Sequence, residues 1–255
     1  MAEYTSTELL ACAASHVLED KKSIFVGTGL PMIAAMLAQR THAPGLLIVF
    51  EAGGIGPQVP VLPISVGDSR TVYKAIVASS MNESMSMSQA GYIDFGFLGG
   101  AQIDMFGNLN TTVIGDHANP KTRLPGSGGA NDVGSLCHRT IIIMKQDRMK
   151  FVKKIDFLTT PGYLQGGDSR DRAGLPAGTG PFRVISQLAI FDFEPVSKRM
   201  RVYSLHPGVE LETVLENSDF EILPPTEKRV TPAPTLEELA MLQKIDPVGM
   251  VIAKR

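Results

Sequence analysis

SIFVGTGLPMIAAMLAQRTHAPGLLIVFEAGGIG, residues 23–56, decides the fold. SIFVG (23–27) reads as a short buried strand. GTGLP turns the chain, with Pro31 at a first-turn position, and opens a helix from Met32 to Arg40. Ala43-Pro44-Gly45 ends that helix, and LLIVF (46–50) is a second strand. Strand, glycine turn, helix, strand is the pattern of a βαβ unit with a parallel sheet. In open sheets of this kind ligands bind beyond the carboxyl ends of the strands. The second strand carries a single carboxylate, Glu51, at that end, followed by Ala52, Gly53 and Gly54.

Working outward, Ser6 or Thr7 is placed to cap a helix running to about Glu19. TVYKAIVASSM (71–81) has helical periodicity, IDFGFLGG (93–100) is a strand ending in a glycine pair, and TIIIMK (140–145) is strongly β-branched. PGYLQGGDSRDRAGLPAGTGP (161–181) is a long Gly/Pro-rich loop. FRVISQLAIFDFE and MRVYSLHP form an antiparallel pair around the Pro195–Arg199 turn. GVELETVLENS (208–218) and PTLEELAMLQKI (234–245) are the last helices, and Thr235 with Glu238 has capping-box spacing. The expected fold is a single α/β domain over 1–255. It has an open, mainly parallel sheet, flanking helices and a C-terminal antiparallel hairpin.

Composition narrows the function. The net charge of −2 argues against a nucleic-acid or anionic-membrane surface, which needs a basic face. No apolar run approaches the length of a membrane span. The N-terminal stretch carries Glu3, Glu8 and Glu19 and does not read as a signal peptide, so a cytoplasmic protein is expected. Cys12 and Cys137 lack CxxC spacing and read as buried thiols. His16, His42, His117, His138 and His206 show no metal-ligand spacing, so no metal is expected. There is no GxGxxG, no phosphate-binding GxxxxGK[ST] and no GxSxG elbow.

Two stretches remain. Glu51 is a carboxylate at an apolar strand end, and a carboxylate serves as a nucleophile in covalent catalysis. Its alternative is a solvated strand-end residue. The glycines after it are expected to leave the site open to a substrate. The second stretch is 98–132. Gly99-Gly100-Ala101 and Gly126-Ser127-Gly128-Gly129 are placed to offer backbone N–H groups to an oxyanion or phosphate, and Gln102, Asn108, Asn110 and Asn131 to orient carbonyls. Taken one at a time, each Asn and Gly also fits a tight turn.

GTGLP (27–31), IVFEAGG (48–54), SVGD (65–68), GGAQIDMFGNLNTT (99–112), IGD (114–116), PKTRLPGSGGAN (120–131), KIDFLTTPG (154–162) and KIDP (244–247) together resemble the β subunits of family I CoA-transferases, in the glutaconate CoA-transferase branch. The resemblance covers nearly the whole chain in order. It implies the open CoA-transferase (NagB/RpiA-like) fold, a homologous α subunit and assembly into αβ multiples. It also implies a coenzyme A thioester as substrate, with no permanently bound cofactor. Glu51 falls on the family's nucleophilic glutamate, and Ala52, Gly53, Gly54, Gly99, Gly100, Ala101 and Gln102 fall on substrate- and CoA-binding positions. The implied reaction passes through a glutamyl anhydride and a glutamyl-CoA thioester, with a dicarboxylate-type or related acyl group. Acyl-CoA hydrolysis, or C–C cleavage or decarboxylation on the same fold, is the alternative. Ala52 departs from the Ser or Asn common after the family's glutamate. Arg70, Lys121 and Arg123 are candidates for a distal substrate carboxylate.

Overall fold

The computed structural model describes residues 3–254. The chain forms two compact units, residues 1–97 with 232–255 and residues 98–231.

The first unit opens with helix α1 (Ser6–His16), capped by Thr5 rather than Ser6 or Thr7. Thr5 and Glu8 form a reciprocal capping box, which satisfies two otherwise orphaned N–H groups. Then come β1 (Ser23–Val26), α2 (Leu30–Arg40), β2 (Leu47–Phe50), β3 (Gly54–Ile55), β4 (Val77–Ala78), α3 (Met81–Gln89) and β5 (Phe95–Leu98). β1 pairs in parallel with both β2 and β5. The strand ending at Glu51 and the strand ending before Gly99 are therefore parallel, with β1 between them. β3 turns back antiparallel to β2, and β4 pairs antiparallel to β3. β1 and β5 are buried throughout, as strands covered on both faces must be. Met32 to Ala38 of α2 are all buried, in keeping with their unbroken apolar run; α2 packs on α1 and on the C-terminal helix.

The segment 71–81 is not a helix. Asp68 caps a short 3-10 turn over Ser69–Val72, Lys74 takes a left-handed φ of +50°, and β4 follows. The helix starts only at Met81, where Ser80 and Glu83 form a second capping box. The apolar spacing of TVYKAIVASSM has no buried face behind it: Ile76 is 75% exposed.

The second unit begins with two small hairpins, β6 (Gln102–Ile103) with β7 (Leu109–Asn110) and β8 (Val113–Gly115) with β9 (Pro120–Arg123). α4 (Ala130–Leu136), β10 (Arg139–Ile143), the short α5 (Ser169–Arg172), β11 (Pro181–Ile185), β12 (Ala189–Phe193), β13 (Met200–Leu205) and α6 (Leu211–Glu216) follow. β10 and β11 run parallel, while β11–β12 and β12–β13 are antiparallel. FRVISQLAIFDFE is thus two strands, broken at Ser186 to Leu188. The hydroxyl of Ser186 accepts from the N–H groups of Leu188 and Ala189 there. Phe151 packs against Phe191 and Phe220 at ring separations of 5.8 and 6.1 Å. The glycine-rich loop 161–181 is pinned by buried Arg170, whose guanidinium donates to the carbonyls of Pro161, Gly162, Gly134 and Ser135. The chain returns to the first unit in α7 (Leu236–Ile245), capped by Thr235 and Glu238 as the sequence predicts. Glu238 also pairs with His16, tying α7 to α1.

Candidate active site

Glu51 and Ala52 are the central residues of a tight turn at the carboxyl edge of the parallel strands. The Gly53 N–H closes it on the Phe50 carbonyl at 2.9 Å. The turn is fastened from behind. The hydroxyl of Ser84, fully buried on α3, donates to the Glu51 carbonyl at 2.9 Å. The N–H and hydroxyl of Ser79 both donate to the Gly53 carbonyl, at 2.9 and 3.0 Å. The Glu51 side chain is half-buried, and among the described residues its carboxylate makes no hydrogen bond or ion pair. Such a carboxylate keeps its lone pairs for chemistry instead of spending them on a structural partner.

The glycines after Glu51 do not clear space, contrary to the expectation from sequence. Gly53 and Gly54 are buried. A Cβ on Gly53 would lie 2.1 Å from the Ser79 carbonyl oxygen, and one on Gly54 would lie 2.1 Å from that of Thr71. They are glycines because β3 reverses directly onto β2 and lies against the backbone of the 71–80 segment. Ala52 is half-buried and brings no polar side-chain atom beside the carboxylate.

In the second unit the candidate residues are largely occupied with each other. The Ala101 N–H donates to the Asn110 carbonyl at 2.9 Å, so the oxyanion reading narrows to Gly99 and Gly100. Gln102 is buried; its Oε1 accepts from Asn110 Nδ2 at 2.7 Å and from the Asp156 N–H at 2.9 Å, and its Nε2 donates to Asp156 at 3.1 Å. A ligand contact from this side chain is left to the second Nε2 hydrogen. Asn110 is saturated by Gln102, the Val113 carbonyl and the N–H groups of Thr112 and Val113. Asn108 is saturated as well, between Asp104, Gly162 and Leu164. Asn131 donates to the Thr159 carbonyl at 3.1 Å. Within 126–129, the Gly126 N–H donates to the Thr111 carbonyl at 2.9 Å.

Of the basic candidates, Arg70 is held by Asp68, its neighbour two positions back, and by the Leu62 carbonyl. The Arg70 hydrogen bond is the largest cause holding the Asp68 carboxyl far below its usual range. Arg123 donates to the His117 carbonyl at 3.1 Å. Lys121 is exposed. Among the described residues no group of three or more His, Cys, Asp or Glu side chains is arranged to hold a metal ion, and no helix is long and apolar enough to cross a membrane.

Sequence reasoning missed Ser84, Ser79 and Asp156. The Ser80-x-x-Glu83 box is the signal that would have placed α3, and with it Ser84 behind Glu51.

A parallel-strand edge presenting an unpaired glutamate on an open α/β fold suits acyl transfer. The chain belongs to the coenzyme A transferase family, whose profile matches residues 7–217. It is 42% identical over 247 residues to a subunit of the 3-oxoadipate CoA-transferase of Pseudomonas knackmussii, covering 96% of this chain and 95% of that protein. It is 37% identical to a subunit of the glutaconate CoA-transferase of Acidaminococcus fermentans, over 86% of this chain and 84% of that one. The crystal structure of the Acidaminococcus fermentans enzyme superposes with a TM-score of 0.93 over 99% of both chains, at 34% identity. The protein is accordingly a CoA-transferase subunit, of a family that moves coenzyme A between an acyl-CoA and a carboxylate.

Proposed function

We propose that Glu51 is the nucleophile of this transfer. Its carboxylate attacks the thioester carbonyl of the donor acyl-CoA; the C–S bond breaks and CoA thiolate leaves, giving a mixed anhydride. The thiolate attacks the Glu51 carbonyl of that anhydride, releasing the donor acid and leaving a glutamyl-CoA thioester. The acceptor carboxylate attacks this thioester, and the returning thiolate then takes the acceptor acyl group and frees Glu51. One thioester is exchanged for another, so little net free energy is required and no bound cofactor is needed. The observation that carries the reading is the Glu51 carboxylate, held at the strand edge with no partner among the described residues.

Gly99 and Gly100 supply oxyanion N–H groups in this reading, with Ala52, Ala101 and Gln102 beside the acyl-CoA, while Gly53 and Gly54, expected from sequence at binding positions, hold the turn behind Glu51. What supports that part is the resemblance of GGAQ to the family's motif and the position of Glu51 in EAGG, where Ala52 departs from it. The chain then works with a homologous α subunit in αβ multiples; both relatives bear the names of single subunits of their enzymes, which supports a partner. Those relatives are named for 3-oxoadipate and glutaconate, both dicarboxylic acids, so a dicarboxylate-type acyl group is proposed. The reaction draws on acyl-CoA, and a cytoplasmic location is proposed with it. Transfer is preferred to hydrolysis because both relatives are transferases.

The test is trapping. The complex with its partner, given acyl-CoA and then borohydride or hydroxylamine, acquires the modification at Glu51 by peptide mass spectrometry. Labelling at another residue, or full activity in Glu51→Ala, would sink the assignment. Turnover with carboxylate acceptors compared with water separates transferase from hydrolase.

A further inference from the structure

A cavity of about 600 Å³ lies in the first unit at the other end of β2, where Leu47 opens the strand that Glu51 follows. Its size is within the range of small-molecule pockets. It is lined by Arg40 and Lys74, with Tyr73, Gln39 and Gln58, and among the described residues no Asp or Glu lines it.

Arg40 has an unusual setting. Its Nη2 donates to the carbonyls of Val59 and Pro60 at 2.6 and 2.7 Å. Its Nε and Nη1 have no partner among the described residues, and no carboxylate among them pairs with it. Partial burial pushes its pKa down, with no neighbouring carboxylate among the described residues to offset it. The two carbonyls take both Nη2 hydrogens and fix the guanidinium, leaving separate donors on Nε and Nη1, with its charge, for an anion.

The second cation is held with strain. Lys74 sits at φ +50°, a left-handed conformation that costs a non-glycine residue free energy and concentrates at functional positions. Its Nζ lies 5.6 Å from the centre of the Tyr73 ring. Gly56, at φ +64°, has no side chain there, which lets Ile76 and Leu47 close the floor; a Cβ would meet them at 2.7 and 2.8 Å. The Gln39 amide is fixed by its bond to the Leu46 carbonyl at 3.1 Å, leaving its oxygen free to accept.

We propose that this cavity binds a nucleoside phosphate, at a site separate from Glu51. Arg40 and Lys74 take the phosphates, the Tyr73 ring takes the base, and Gln39 and Gln58 offer amides to its edge. Two cations without an anion select phosphate, and a flat ring with polar amides selects a base over a bare ion. The site does not depend on the chemistry assigned to Glu51.

The experiment is calorimetric titration of the protein in its native assembly with ADP, inorganic phosphate and adenosine. ADP is expected to bind at least tenfold more tightly than either fragment. Arg40→Gln is expected to weaken ADP at least tenfold and Lys74→Ala severalfold, with the KM for acyl-CoA unchanged within twofold in both. Because Arg40 also anchors the Val59–Pro60 backbone, Lys74→Ala decides the matter if Arg40→Gln does not fold. Failure of ADP to bind the wild type at millimolar concentration, or wild-type affinity in the folded variants, overturns the site. Phosphate binding as tightly as ADP overturns the nucleotide assignment. A rise in acyl-CoA KM that tracks the loss of ADP binding overturns its separateness.

Discussion

Gly53→Ala separates two reasons for the glycines beside Glu51. If they kept space open for substrate, an added methyl would obstruct binding and leave stability nearly unchanged. The structure requires the opposite. Gly53 sits at φ +106°, where an L-residue is strained by about 1–3 kcal/mol. Its Cβ would also stand 2.1 Å from the Ser79 carbonyl oxygen and 2.5 Å from the carbonyl carbon. These are backbone atoms that cannot swing aside, so overpacking adds about 1–3 kcal/mol more. The expected loss is therefore roughly 2–6 kcal/mol, a large part of a domain's stability. Gly29→Ala is the control: its φ is +76° but nothing lies within 4 Å of the added Cβ, so only the strain applies. Urea denaturation followed by circular dichroism compares wild type and both variants. Gly53→Ala should unfold at the lowest urea concentration, below Gly29→Ala. A Gly53→Ala protein as stable as wild type, with only its KM raised, would refute the packing argument.

Ser84→Ala, which removes the buried hydroxyl holding the Glu51 carbonyl, should lower kcat about fivefold with KM little changed, on the order of 1 kcal/mol for a lost buried hydrogen bond. Ser84→Thr should restore part of the rate, and a change confined to stability would show that the hydroxyl does not position Glu51. The Glu194 carboxyl is held down to about 2, chiefly by the Ser197 hydroxyl and then by the N–H groups of Ser197 and Val196, at the turn between β12 and β13. A depressed carboxyl stabilises the fold above the ordinary carboxylate range near 4.5 and loses that contribution as pH falls towards 2. The stability gap between wild type and Glu194→Gln should hold constant above about pH 5 and close below it; a gap that does not vary with pH would refute the role. Burial pushes the Cys12 thiol up to about 12, with Glu238 and Glu8 adding to the shift. Iodoacetamide at pH 8 should leave Cys12 unmodified until the protein is unfolded, as read by mass spectrometry.

What was legible in the sequence is what burial writes there. SIFV, LIVF and FGFL are largely buried strands, so their apolar runs are nearly continuous and lie next to glycines, and α2 is apolar from Met32 to Ala38. Glu51 stood out because it breaks that pattern at the edge where open sheets bind ligands. The failures share a cause: composition does not record which backbone lies opposite. The apolar residues of 71–81 repeat at helical spacing, yet Ile76 and Val77 face outward, and the helix that matters is the polar MNESMSMSQ, fixed by its Ser80–Glu83 cap. The glycines of EAGGIG read in the sequence as an opening for substrate, and the Ser79 and Thr71 carbonyls opposite Gly53 and Gly54 make them a tight seam instead. Asn108 and Asn110 looked like ligand donors because side-chain amides suit that task, but an amide closing a local turn has the same spacing. In the first unit, the Glu51 carboxylate stands at the carboxyl edge of the parallel strands with no hydrogen bond or ion pair among the described residues. In the proposed reaction, catalysis rests on how the turn from Phe50 to Gly53 is held, and Ser79 and Ser84 hold it through its backbone carbonyls, leaving the carboxylate itself untouched.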